Sequence, residues 1–349
     1  MAFLRKKIKL IKKTQLWKLF IQFIFYPIYN FFWQYIINFQ AKILYFLWIL
    51  KNKNYIDLSN NDKILVKDNN DFINLSQKIL QEAKPLLESS KKKILSLEFK
   101  ETLSKKIGPT SVEAELPYRG SLYDKLSENL KKRIVNFASS ELMITTAAKH
   151  MKIFPILTRI QVDHNIPRPE GKIRGAMYWH RDTFGFKNLD FFMAVTDIND
   201  DNGPFYCLEK KIKAGIFLAF SNVVSNFKKG ERGKVSLEDF SNYFKNENVL
   251  KLTGNSGNAI FLDSFSCYHR GGYCKNKERV TLRLCYQSHD ALFNSPIIDN
   301  HYYKYDNSIR KSETIDIYKK YLFFKRPSSI MKSLSQKIVN IYRKLDFEV

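Results

Sequence analysis

The sequence predicts a mainly β core, a sandwich or a barrel, with helices on its flanks. From about residue 153 onward, short apolar runs alternate with Gly, Pro, Asn and Asp, a pattern typical of short strands joined by turns. Residues 76–150 instead carry apolar side chains at a spacing near 3.6, which indicates helices. With 44% hydrophobic residues among 349, the chain can bury a large core.

The chain begins with a basic segment that an aromatic segment follows. Residues 1–18 contain seven Lys and Arg side chains, and residues 19–41 contain no charged side chain. Within the second range, four amides recur at multiples of four residues: Gln22, Asn30, Gln34 and Asn38. A helix would therefore carry these amides on one face and aromatic and aliphatic side chains around the rest.

Several functions compete for this segment. A cleavable signal peptide is disfavoured because no small-residue cleavage site follows the apolar run. A spanning helix is long enough, but Pro27 and the amides lie inside it. A helix in the bilayer interface accounts for the amide stripe, the aromatics and the basic flanks together. We therefore expect residues 1–50 to bind an anionic membrane surface, with packing on the protein's own core as the alternative.

The remaining elements follow in order. Residues 51–75 are rich in Asn, Asp and Lys and are predicted to be a polar linker. Pro85 is expected to interrupt the first helix after it. The candidate strands are "FPILTRIQV" (154–162), "AMYWHRD" (176–182), "LDFFMAVTDI" (189–198), "AIFLDSF" (259–265) and "RVTLRLCYQS" (279–288). A Lys-rich tail at 306–349 returns to helical spacing.

Cysteine usage and charge exclude some classes of protein. The four cysteines form no C-x-x-C pair, so neither a disulfide framework nor a zinc ribbon is expected. The net charge of +24 fits nucleic acid or an anionic membrane. However, the basic residues are scattered or lie near the chain ends, without the aromatic-interleaved groove that single strands require. We expect no nucleic-acid partner, and the sequence says nothing about oligomeric state.

One group of polar residues points to a metal site. In a strand, residues i and i+2 share a face, so His180 and Asp182 can point to one spot. His269 stands between an apolar run and a Gly-Gly turn, and ten residues later Arg279 begins a strand in which polar residues alternate with apolar ones. That polar stripe faces either solvent or the interior of a barrel.

These residue types suit iron chemistry. Two His and one carboxylate are the ligand set of a facial triad with open positions, which is typical of non-heme Fe(II) oxygenases. A 2-oxo acid and dioxygen fill the open positions. Arg279 then neutralises the far carboxylate of the co-substrate, and the hydroxyl of Thr281 adds a donor. Arg283 lies on the same face and is the alternative to Arg279.

Three stretches of residues 150–290 resemble the phytanoyl-CoA dioxygenase family of Fe(II)/2-oxoglutarate-dependent oxygenases. They are "WHRD" (179–182), "DINDDNGPFYCLEK" (197–210), and "GNAIFLDSFSCYHRGG" (257–272) running into "ERVTLRLCYQS" (278–288). The family usually continues the second stretch towards "PGSH", where this chain has "CLEKK".

The resemblance implies a double-stranded β-helix, or jelly roll, with flanking helices. It further implies Fe(II) held by His180, Asp182 and His269, and 2-oxoglutarate bound by Arg279 with Thr281. Because Asp182 supplies a carboxylate where halogenating relatives lack one, hydroxylation is favoured over halogenation. The expected substrate is a small or membrane-associated molecule, such as a lipid, a lipid-linked sugar or an acyl thioester.

This interpretation divides the chain into three parts. Residues 1–55 form the membrane-associated segment, residues 56–305 the oxygenase domain with a helical part at 76–150 and a β core at 151–290, and residues 306–349 the tail. Reduced iron and 2-oxoglutarate place the domain in the cytoplasm, on the cytoplasmic face of a membrane. The alternative functions are a non-catalytic jelly-roll binding protein with a vestigial metal site and, less favoured, an oxygenase that acts on nucleic acid.

Other polar or reactive residues receive ordinary structural interpretations. His164 is expected in a loop, while His150 and His301 are expected at the surface. His289 lacks a third partner, and Arg181 is expected to be a spacer between its neighbours. The remaining expectations are core packing for Cys267, Cys274, Tyr178 and Trp179, and a turn or a supporting role for Asp263.

Overall fold

Two antiparallel sheets and a layer of helices make up the described part of the chain, and they confirm the predicted jelly roll with flanking helices. The computed structural model describes residues 39, 41–58, 63–96, 119–167, 175–182, 187–208, 240–241, 248–264 and 266–288. The segment 1–38 and the tail at 306–349 lie outside these residues, so the membrane helix predicted at 19–41 stays a prediction. Among the described residues no helix is long and apolar enough to cross a membrane.

The larger sheet has six strands in the order β1-β7-β4-β9-β3-β2, and the smaller has three in the order β6-β5-β8. Every neighbouring pair is antiparallel. The strands are β1 Lys63–Val66, β2 Arg119–Ser121, β3 Ile156–Asn165, β4 Asn188–Ala194, β5 Phe205–Leu208, β6 Val249–Leu252, β7 Ala259–Leu262, β8 His269–Gly271 and β9 Arg279–Gln287.

The helices cover one face of the larger sheet. The chain is helical at 41–51, here called α1. The helices after it are α2 Asn70–Ala83, α3 Leu87–Leu95, α4 Glu128–Ala138 and α5 Glu141–Met151. Pro85 lies in a 3-10 turn between α2 and α3, as its missing N–H and fixed φ predict. Asn69, Ser127 and Ser140 cap α2, α4 and α5 by accepting backbone N–H groups.

Alternation along β4 and β9 divides the molecule into an apolar and a polar side. Phe191 opposes Leu284 in the ladder, and both belong to the main core with the inner faces of α2, α4 and α5. Phe72 of α2 meets Phe191 edge to face, with ring centroids 5.2 Å apart. The other face of the two strands is polar and includes Asp190 and Arg283. The polar face of β9 is therefore turned away from the helices.

Two predictions about local structure are wrong. Residues 51–75 are not a linker, because they contain the end of α1, all of β1 and the start of α2. The N–H groups of Lys53 and Asn54 both donate to Glu141 on α5, at 2.9 and 3.0 Å, so this segment is attached to the domain. The stretch at 176–182 is not a regular strand: it has a 3-10 turn at Gly175–Met177 and then an isolated bridge between His180 and His269.

Two histidines also differ from expectation. His164 lies in β3, not in a loop, and is fully buried. Its two ring nitrogens are satisfied inside the protein, by Ser90 at 3.0 Å and by Glu278 at 3.1 Å. His150 is mostly buried at the end of α5, where its Nε2 lies 3.4 Å from a carboxylate oxygen of Asp263. His289 and His301 lie outside the described residues.

Candidate metal centre

His180, Asp182 and His269 come together at one point. One ligand atom from each residue lies within 4.8 Å of the other two. The Nε2 atoms of His180 and His269 are each 3.8 Å from an oxygen of Asp182, and they approach different oxygens. These separations are too long for hydrogen bonds. Donors that converge without bonding to one another fit a shared cation.

Backbone pairing brings these residues together across a sequence gap of almost ninety residues. His180 and His269 exchange two backbone hydrogen bonds, of 3.0 and 2.9 Å, in the isolated bridge. The N–H of Asp182 donates to the carbonyl of Ser264 at 2.9 Å, which fixes the other end of the same short segment. Alternation then directs residues 180 and 182 to one side.

Hydrogen bonds to carbonyls orient both imidazoles. His180 Nδ1 lies 2.8 Å from the carbonyl of Tyr178, and His269 Nδ1 lies 3.2 Å from the carbonyl of Cys267. Because a carbonyl only accepts, Nδ1 carries the proton in each ring, and Nε2 keeps its lone pair. Both Nε2 atoms point towards Asp182. This is the arrangement by which proteins prepare histidines for a metal ion.

Arg283 holds the carboxylate of Asp182 in place. Its Nη2 donates to Asp182 at 2.6 Å and to Asp190 on β4 at 2.8 Å, and the guanidinium lies over the ring of Phe192. Burial by itself would raise the pKa of Asp182, but the charge of Arg283 and the two histidines lower it well below its usual range. Asp182 is therefore an anion at neutral pH, as a metal ligand must be.

His269 is neutral in the same range. Burial, and next the nearby His180, lower its pKa to about 4, and the negative charge of Asp182 only partly opposes this shift. A neutral imidazole with a free Nε2 lone pair is the form that binds metals. The site therefore offers two imidazole nitrogens and one carboxylate, which is the donor set of a facial-triad iron centre.

Arg279 has a different environment from Arg283 although both lie on the inward face of β9. Arg279 is buried, and its Nη1 is 3.5 Å from the carbonyl of Asn202. No carboxylate of the described residues lies within ion-pair distance of it. Burial lowers the pKa of this guanidinium, a sign that the charge is poorly compensated. A buried cation with no carboxylate of the described chain at ion-pair distance fits a carboxylate-bearing ligand.

One cavity connects these groups. Its wall includes His180, His269, Arg279, Thr281 and Arg283, so the polar face of β9 points into the cavity and not towards solvent. Arg119, Asp163 and Asn165 also line it, together with apolar side chains, among them Phe192 and Phe205, which stack with ring centroids 4.3 Å apart. Such walls lower the local dielectric constant and strengthen the interaction of Arg279 with an anion.

Two residues of the site were missed or misjudged from the sequence. Asp190, the second carboxylate on Arg283, was not singled out, although a lone acid inside the apolar run "LDFFMAV" was a usable signal. Arg181, predicted to be a spacer, also places its guanidinium over the ring of Tyr268. Trp179 is a core aromatic as expected: it is buried and stacked on Phe240.

The remaining candidates have structural roles. Cys267 and Cys274 are buried, as expected of small core residues. Asp263 accepts from the backbone and the hydroxyl of Ser266, which closes the turn before β8. Gly203, in the "NGPF" turn, has φ of +72°, and a Cβ there would lie 2.5 Å from the carbonyl of Tyr273. Only glycine fits that turn.

Comparison with known proteins gives distant structural matches. No protein-family model matches the sequence, and no curated protein sequence is detectably similar to it. Among solved structures, the epimerase SnoN from nogalamycin biosynthesis, in complex with Fe3+, alpha-ketoglutarate and nogalamycin RO, superposes with a TM-score of 0.39 at 12% identity, over 66% of this chain and 80% of SnoN.

Two further matches are of the same kind. EctD from S. alaskensis, with 2-oxoglutarate and 5-hydroxyectoine, has a TM-score of 0.40 at 14% identity and covers 66% of this chain and 73% of its own. HygX from Streptomyces hygroscopicus, with nickel and 2-oxoglutarate bound, has a TM-score of 0.36 at 11% identity, and the match covers 66% of this chain and 84% of HygX. None of these matches is specific to the phytanoyl-CoA dioxygenase family, so that resemblance stays a prediction.

Proposed function

We propose that the protein is an Fe(II)- and 2-oxoglutarate-dependent dioxygenase that hydroxylates an unactivated C–H bond. The observation that carries this proposal is the convergence of His180, Asp182 and His269 within 4.8 Å, with both Nδ1 atoms tied to carbonyls and both Nε2 atoms directed inward. That arrangement prepares three ligands for one metal and leaves other coordination positions to ligands from the cavity.

Each residue of the cavity has a distinct task in this proposal. His180, Asp182 and His269 hold the iron. Arg279 binds the far carboxylate of 2-oxoglutarate, and Thr281, two residues on along the same face, adds a hydroxyl donor. Iron held there would supply the oxidation of the substrate by dioxygen, coupled to the conversion of 2-oxoglutarate to succinate and CO2.

Arg283 is a positioning residue, not a ligand for the co-substrate. Its Nη2 already donates to Asp182 and Asp190, so its charge is compensated within the protein. By holding Asp182 in one orientation, Arg283 keeps the carboxylate available beside the two imidazoles. Phe192 and Phe205 keep water away from the same region.

The substrate is proposed to be a small or membrane-associated molecule such as a lipid, a lipid-linked sugar or an acyl thioester. The cavity supports a compact substrate, because apolar side chains, among them Phe192 and Phe205, line its wall beside the polar groups. The basic and aromatic sequence of residues 1–50 supports a location on the cytoplasmic face of a membrane, where such substrates occur.

Formation of succinate tests the proposal. Full-length protein with Fe(II), 2-oxoglutarate and oxygen is expected to convert 2-oxoglutarate to succinate and CO2, and Asp182→Ala is expected to abolish the reaction. His150→Ala is the matched control, because His150 pairs with Asp263 outside the cavity. A folded protein that binds iron but forms no succinate would favour the alternative, a jelly-roll binding protein with a vestigial metal site.

A further inference from the structure

Large apolar side chains are exposed along one face of α1 and at Phe39 just before it. The exposed fractions are 63% for Phe39, 46% for Ile43, 60% for Phe46, 47% for Leu47 and 71% for Leu50. We call these five residues the apolar stripe. In the rest of the described chain, large apolar side chains are exposed only singly, at Tyr55, Leu95 and Val249. A contiguous group of this kind marks an interaction surface.

The stripe is regular, and lysines border it on both sides. At a helical advance of about 100° per residue, its five positions fall within an arc of about 100°. Lys42 falls beside one edge of the arc and Lys51 beside the other, and both side chains are exposed. Apolar side chains between flanking lysines are typical of helices that lie in a membrane interface, where lysine stems extend along the apolar surface towards the headgroups.

The opposite face of α1 is fixed to the domain. Ala41 and Leu44 belong to the main core, and the indole N–H of Trp48 donates to Thr145 on α5 at 2.9 Å. Trp48 also meets Phe154 edge to face at 5.4 Å, and the N–H of Phe154 donates to the carbonyl of Ala41 at 3.0 Å. The helix therefore moves with the domain and not as a separate tether.

We propose that the apolar stripe docks the domain directly onto the surface of a bilayer that contains anionic lipid. The stripe continues in sequence from residues 19–38, which are uncharged and rich in aromatics, and from residues 1–18 with their seven cations. No acidic residue precedes Asp57, so the whole region matches a negative surface. A second copy of the chain would instead bring the same lysines of the two helices together.

This surface determines how the domain sits on the membrane. Because α1 packs on α5 and on the residues that lead into β3, the bilayer contacts the helical side of the larger sheet. The stripe and its anchoring contacts, and not only the segment at 1–38, then define the orientation of the domain. The proposal does not depend on the metal centre, since no residue of the stripe lines the cavity.

A site-specific fluorescent label tests the docking surface. The four native cysteines are all buried, so a single introduced cysteine can be labelled with an environment-sensitive dye. Phe46→Cys reports on the stripe, and Val249→Cys is the control, since it replaces an exposed apolar residue on the smaller sheet. With phosphatidylcholine vesicles containing about 30% phosphatidylserine, we expect a blue shift at position 46 and none at 249. With phosphatidylcholine alone, the shift at position 46 should be smaller.

Substitution provides the second measurement. The double variant Phe46→Ser/Leu50→Ser should bind the anionic vesicles about tenfold more weakly than the wild type, while Leu95→Ser/Val249→Ser binds normally. Unchanged tryptophan fluorescence without vesicles and unchanged thermal unfolding would show that both variants are folded.

Three results would overturn the proposal. The first is no shift at position 46 with anionic vesicles. The second is a label that is already shielded without vesicles, which would mean that another part of the chain covers the stripe. The third is shielding that depends on protein concentration, which would indicate a dimer. Iron enters none of these measurements, so each outcome leaves the oxygenase proposal unaffected.

Discussion

Arg279 and Arg283 are the two inward-facing arginines of β9, and replacing one or the other by glutamine should have different consequences. Arg283 donates to two carboxylates, at 2.6 and 2.8 Å. Arg279 has no carboxylate within ion-pair distance among the described residues, and its Nη1 lies 3.5 Å from the carbonyl of Asn202. If Arg279 binds an external anion and Arg283 holds Asp182, Arg279→Gln should weaken the binding of 2-oxoglutarate. Arg283→Gln should instead lower the stability of the fold and the affinity for iron.

The expected magnitudes separate the two roles. Removing one partner of a buried, hydrogen-bonded charge pair costs about 2–5 kcal/mol, so Arg279→Gln should raise the Kd for 2-oxoglutarate about 30- to 5000-fold. Its free energy of unfolding without ligands should stay the same or rise, because an uncompensated buried cation is lost. Arg283→Gln leaves Asp182 and Asp190 without their cation, which should cost about 3–5 kcal/mol of stability and about 10- to 100-fold in iron affinity.

Two assays measure these quantities. Anaerobic calorimetry on Fe(II)-loaded protein gives the Kd for 2-oxoglutarate, and urea unfolding of metal-free protein gives stability. Arg270→Gln is the control, because Arg270 stacks on Tyr206 and does not line the cavity. The assignment is refuted if Arg279→Gln binds 2-oxoglutarate normally while Arg283→Gln keeps its stability and loses that binding.

Three further predictions concern the scaffold. Phe191→Ala should lower the free energy of unfolding by about 3–5 kcal/mol in chemical denaturation, because the ring is fully buried between the sheet and α2; no loss would contradict the described core. Gly203→Ala should lower the melting temperature, since its φ of +72° and the nearby Tyr273 carbonyl leave no place for a Cβ, whereas Gly271→Ala should be mild. Metal-free protein should lose on the order of 3 kcal/mol of stability as pH falls from about 6.5 to about 4. The reason is that the pKa of His269 is lowered to about 4 in the folded state only, so the unfolded chain binds the proton at a higher pH than the folded protein does. His269→Gln should therefore flatten this part of the pH profile of stability.

The strands and the convergence of the three candidate metal ligands could be predicted from the sequence because their signals are local. Apolar runs between turn residues gave β3, β4, β7 and β9 within a few residues of their bounds. His180 and Asp182 share a face through the two-residue period of extended chain, even though the structure has only an isolated bridge there. That period holds wherever the backbone is extended, so the pattern indicated proximity without a full strand.

Other features depend on long-range contacts that no local pattern reveals. The short β1, inside a polar stretch, is a strand because β7 provides its hydrogen bonds. The sequence around His164 predicted a loop, because the two residues that hydrogen-bond its buried ring, Ser90 and Glu278, are distant in sequence. The proposed choice of Arg279 over Arg283 likewise rests on Asp190, which pairing between β4 and β9 brings to Arg283 and not to Arg279.

The visible absorption of the protein with Fe(II) and 2-oxoglutarate under anaerobic conditions tests the central claim most directly. Chelation of a 2-oxo acid to a facial-triad iron produces a metal-to-ligand charge-transfer band that neither component gives alone. We predict this band in the wild type and in His150→Ala, and its loss in Asp182→Ala. Folded wild-type protein without the band, or an undiminished band in Asp182→Ala, would contradict an iron centre at His180, Asp182 and His269.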